Sequence, residues 1–76
     1  MKTETITYRA FSAAIRRAEK KQLESTGKSM CAASIGQQCT LMKFGARIVS
    51  CFDEKKTMEI EGDWRKAIAA AAALYS

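Results

Sequence analysis

Residues 62–76, GDWRKAIAAAAALYS, are the stretch whose reading decides the fold. Gly62 interrupts the pattern before it. Asp63 suits an N-cap, because its carboxylate can accept from the free amides of a first helical turn and lies at the positive end of the helix dipole. Trp64, Ile68, Ala71 and Tyr75 then recur at the i, i+4, i+7, i+11 spacing of one helical face, with Ala67 and Leu74 beside it. The run 69–73 has high helix propensity and almost no side-chain bulk. So small a face lets another backbone approach closely, which makes Ala69, Ala72 and Ala73 the candidate oligomer face. Everything upstream must supply a surface for this helix to rest on.

The neighbouring segment, residues 46–61, carries the clearest β pattern. Ile48, Ser50 and Phe52 alternate with Arg47, Val49 and Cys51, and Met58 and Ile60 alternate with Thr57, Glu59 and Glu61. Asp53, Glu54, Lys55 and Lys56 lie between as a polar loop of hairpin length. An antiparallel hairpin alone is not stable in water and needs cover from helices.

That cover is supplied from the other end of the chain. Over residues 8–25, Tyr8, Phe11, Ala14, Ile15 and Ala18 fall within one apolar arc, while Arg9, Arg16, Arg17, Lys20 and Lys21 fall on the far side. Gly27 suits the left-handed position past the helix end. Residues 3–8 alternate as a short strand would, or form a lead-in with Thr7 as N-cap; the helix start near Thr7 is the preferred reading. In the middle, Ser29 can cap a short helix through residues 30–35, Gly36 stops it, and residues 38–44 read as a short strand or another short helix. The expectation is an α+β fold: an N-terminal amphipathic helix, a short irregular or helical middle, an antiparallel hairpin extending to a third strand at most, and a C-terminal alanine-rich helix. The 76 residues suffice for a single small domain with a modest core, so a homodimer is a live alternative.

No apolar run approaches 18 residues and no apolar segment follows the first four residues, so neither a membrane span nor a secretory signal is expected, and a cytoplasmic location follows. The three cysteines, Cys31, Cys39 and Cys51, read as reduced thiols, with Cys31 a small buried hydrophobe. Histidine is absent, which removes the commonest general base and metal ligand together. Gly27-Lys28-Ser29 matches the tail of a phosphate-binding loop, but Gln22 stands where the motif needs its first glycine and a helix stands where it needs a strand. Five acids between positions 53 and 63 fit the solvent face of a hairpin, and they set an acidic edge opposite the basic helix. No nucleophile–base pair, metal set or cofactor cradle emerges, so no enzymatic role, metal or cofactor is expected.

Net charge is +5, and residues 1–30 hold seven bases against three acids. The like-charge pairs Arg16–Lys20 and Arg17–Lys21 at i, i+4 each cost on the order of 0.2–0.5 kcal/mol in an isolated helix. A helix that keeps such pairs is suited to an acidic partner, either nucleic acid or a protein or nucleoprotein complex. The candidate contact residues are Arg9, Arg16, Arg17, Lys20, Lys21 and Lys28, with Lys55 and Lys56 as a secondary set. The competing reading is a solvated face whose repulsion Glu19 and Glu24 partly offset.

Ala32, Ile35, Gly36 and Met42 give residues 28–45 a partial likeness to a helix-turn-helix, from which the sequence departs at Gln37 and Gly45. That likeness implies a winged helix with Gln37, Gln38, Thr40 and Lys43 toward the major groove and Lys55 and Lys56 at the wing tip. By size and charge alone the chain is similar to small stand-alone regulators of phages and mobile elements, anti-CRISPR proteins among them. The similarity implies a protein that docks on a nucleic acid or nucleoprotein machine and inhibits or modulates it. The alternative functions are a winged-helix DNA-binding regulator and a structural adaptor acting as a homo-oligomer.

Overall fold

The computed structural model describes residues 3–75, with only the backbone of Tyr75, and the element order is β-α-α-α-β-β-α. Strand β1 (Thr3–Thr7) runs straight into helix α1 (Tyr8–Thr26). The two readings of this segment are therefore both realised. Thr7 ends the strand and caps the helix, its hydroxyl accepting the Ala10 amide at 3.0 Å. Gly27 takes the left-handed C-terminal position at φ 78° and donates to the Leu23 carbonyl at 2.8 Å.

The middle is helical: α2 (Ala32–Ile35) and α3 (Gln38–Lys43). Ser29 does not cap α2, since its hydroxyl bonds the Met30 carbonyl. Glu19, reaching across from α1, instead accepts the Ala32 amide at 3.0 Å. Strands β2 (Arg47–Phe52) and β3 (Thr57–Glu61) form the hairpin, and β1 joins them in a three-stranded antiparallel sheet of order β1-β3-β2.

A register shift between Ile48 and Ser50 changes the alternation of β2. Ile48 and Cys51 stand opposite Ile60 and Met58, the strand positions that enter the core, while Ser50 and Phe52 stand opposite Glu59 and Thr57. The expected apolar side of β2 is therefore split, and Phe52 is exposed. One extra residue in the strand reverses the face of every residue beyond it.

Helix α4 (Trp64–Ala72) begins at Asp63, whose carboxylate accepts the Lys66 amide at 3.2 Å, and ends in a 3₁₀ turn (Ala73–Tyr75). Trp64, Ala67, Ile68, Ala71 and Ala72 are buried against α1, α2 and α3. Leu74, expected beside this stripe, is exposed, and the Tyr75 side chain lies outside the described residues. Ile6, Met58 and Ile60 from the sheet, Ile15 from α1, and Ile35 and Leu41 from the short helices complete one continuous core. The opposite face of the sheet carries Thr5, Thr7, Glu59 and Glu61.

Candidate partner-binding surface

Helix α1 is held in place by its apolar side. Ile15 is buried, Phe11 lies 6.2 Å from the Trp64 ring centre, and Ala14 and Ala18 pack at half exposure against the core. This fixes the rotation of the helix and sends Arg9, Arg16, Arg17, Lys20 and Lys21 into solvent, where all five are exposed. Their positions span about 140° of the helix circumference at 100° per residue. Over 19 residues the helix extends about 28 Å.

These cations make no ion pair among the described residues. The two ion pairs there are Arg47–Glu61 at 3.0 Å and Arg65–Glu4 at 3.5 Å. Glu19, which the sequence offers as a neutralising neighbour, is drawn inward to the Ala32 amide. Only Glu24 remains exposed on the helix as an acid.

Three shallow depressions border the basic arc. One is lined by Tyr8, Arg9, Ser12, Ala13 and Arg16, and a second by Ser12, Ile15, Arg16, Ala32 and Ala33. The third, between α1 and α4, is lined by Ala14, Arg17, Ala18, Arg65 and Ile68. Arg65 is the residue that sequence reasoning missed. Its guanidinium lies 4.2 Å over the Trp64 ring and touches Glu4, which also accepts the Trp64 indole N–H at 3.1 Å. Only the packing of α4 on α1 brings Arg65 to the same groove as Arg17.

The remaining candidates sit at the two ends of α1. Lys28 is exposed just past Gly27. Lys55 and Lys56 are exposed on the β2–β3 turn, which is tied to the helix start: the Lys56 carbonyl accepts the Tyr8 amide at 2.8 Å, and the Tyr8 hydroxyl donates to Asp53 Oδ1 at 2.6 Å. The Asp53 hydrogen bond, with burial and the carboxylate charge adding to it, raises the Tyr8 pKa above the usual phenol value. The turn that carries Lys55 and Lys56 is thus anchored at the start of α1, and Lys28 follows its far end.

Other expected sites are rearranged. Ala69 and Ala73 are exposed, but Ala72 is 1% exposed and part of the core, so the proposed oligomer face loses a member to the chain's own packing. Thr40 is buried, and the Gln38 side chain holds Ile48 by both its N–H (2.7 Å) and its carbonyl (2.9 Å). These two residues are therefore turned away from the groove-reading role that the helix-turn-helix likeness assigns, and α3, with six residues, presents no long recognition helix. Cys31 is exposed rather than buried, at the start of α2; its hydrogen bonds with Ser34, side chain first and then backbone, lower the thiol pKa.

Compared with protein-family models, with curated proteins and with solved structures, the chain matches none.

Proposed function

We propose that this is a non-enzymatic basic binding protein that docks through α1 on an acidic partner, a nucleic acid or nucleoprotein machine, and modulates or inhibits it. The observation that carries the reading is the row of five exposed α1 cations, none ion-paired among the described residues, with Glu19 withdrawn from them. Like charges held together without counter-charges keep their attraction for polyanions, and phosphate binding releases condensed counterions. Arg9, Arg16, Arg17, Lys20 and Lys21 make the primary contact, Lys28 extends it at one end, and Lys55 and Lys56 extend it at the other.

The test uses a labelled duplex of about 20 base pairs and titrates it at several salt concentrations. Affinity should fall steeply as salt rises, and replacing Lys20 by Ala should reduce the slope by about 1. Reversing Arg16, Arg17, Lys20 and Lys21 to Glu should abolish binding while the melting temperature moves by a few degrees at most. Binding that survives this reversal at physiological salt removes the reading.

A further inference from the structure

The two edges of the sheet are treated differently. On β2, Gln38 occupies both outward groups of Ile48, and the adjacent register shift distorts the strand beyond it. On β1 no described side chain caps the outward main chain. The Tyr8 amide bonds the Lys56 carbonyl at the end of the β1–β3 ladder, so by alternation Ile6 and Glu4 also point at β3. The main-chain groups of Thr3 and Thr5 therefore point outward. No described hydrogen bond takes them, Thr3–Thr7 contains no proline or bulge, and its one charged residue, Glu4, is already bridged to Arg65. Threonine and isoleucine both favour an extended strand.

We infer that this edge accepts a fourth strand from an acidic extended segment of a partner protein. The sign of the partner's charge rests on the function proposed above; the strand geometry does not. Charge complementarity selects the occupant. Glu4, on the helix side of β1, is bridged to Arg65, and Arg65 shares its groove with Arg17. An added strand brings its helix-side residues to Arg65, which Glu4 ties to this edge, and Arg65 also lines the groove that holds Arg17, Ala14 and Ile68. Acidic side chains there gain arginine partners, while small apolar ones meet the groove wall. The β1 strand of a second copy would bring a single glutamate, and the net charge of +5 opposes the approach of the two molecules, so a segment richer in acids is the better occupant. Main-chain bonds supply the attachment and alternate side chains supply the selection.

The probe is a seven-residue peptide alternating glutamate and valine, titrated into the isotopically labelled protein. The amides of Thr3 and Thr5 should shift, and those of Glu4 and Ile6 should shift much less. Thr5→Pro removes one outward donor without costing a ladder bond and should weaken the peptide at least tenfold. Arg65→Glu should weaken it several-fold. Reversing Arg16, Lys20 and Lys21 to Glu, which spares Arg17, should abolish duplex binding and leave the Thr3 and Thr5 shifts in place, so the two proposals fail separately. The inference is overturned by absence of binding at millimolar peptide, by equal binding to Thr5→Pro, or by shifts confined to α1. Thr3 and Thr5 shifts that follow protein concentration alone would identify a second copy as the occupant and overturn it too.

Discussion

Gly62 shows how one residue can hold an architecture in place. It adopts φ +87°, a region that side chains with a Cβ rarely enter, and an added Cβ would overlap the Gly45 carbonyl oxygen. Neither the backbone strain nor the clash with main chain can be relieved by a rotamer change. Gly62→Ala should cost about 3 kcal/mol or more. In a domain of this size that lowers the melting temperature by well over 10 °C, measurable by circular dichroism. At Gly45, which is also at positive φ, a Cβ would meet open space, so alanine there should cost less. Tyr8 makes a second prediction at this scale. Its pKa is raised chiefly because the phenol donates a hydrogen bond to Asp53, so that bond contributes fully below the ordinary phenol value near 10 and is lost as pH rises from there toward the raised value. The wild type should therefore lose melting temperature between pH 9 and 11 more steeply than Tyr8→Phe. Parallel curves would remove the role assigned to this bond.

Among the elements, α4 separates helix propensity from helix use. Its alanines make a helix whatever surrounds it, but their destination is set by what packs on them. Ala71 and Ala72 are 0% and 1% exposed, closed in by α1, α2 and α3, so the close approach that a small face allows is made within the chain. Ala71→Leu should then overpack the core and destabilise the protein by about 1–3 kcal/mol. Thermal melting at two concentrations checks this: the loss should be the same at both, whereas an oligomer interface would make it concentration-dependent. The bulge in β2 teaches a related lesson. Alternation in the sequence predicts which residues share a face only while pairing stays in step, and the slip between Ile48 and Ser50 puts Phe52 on the outer side.

For the whole molecule, the distribution of charge matters more than its total. The Cα extents are 36 × 22 × 16 Å, and a helix of about 28 Å fits only along the longest of them. The basic row thus runs along the longest dimension, over about 18 Å from Arg9 to Lys21, with the β2–β3 turn near its start and Lys28 past its end. On the sheet face turned away from the core Arg47 pairs with Glu61, whereas the α1 cations have no ion pair among the described residues, so the uncompensated positive charge gathers on α1. Under the proposed function this arrangement would orient an approaching polyanion before contact, an effect that added salt should suppress. Association rates with the duplex should therefore drop more with salt than dissociation rates rise, as stopped-flow mixing would show.

The sequence by itself determined the long helices, the hairpin and the direction of the basic face, because each is written in a period of a few residues. Tyr8, Phe11 and Ile15 mark one side of α1 and the cations mark the other, and Asp63 and Gly27 punctuate the helix ends through local bonds. Only the tertiary structure decided the capping of α2 by Glu19 from 13 residues away, the meeting of Arg65 with Arg17, the burial of Ala72, and the closing of one sheet edge by Gln38 while the other stays open. These depend on distant segments arriving side by side. A local pattern states which residues share a face, but the neighbour that meets the face is chosen by the packing of the whole chain.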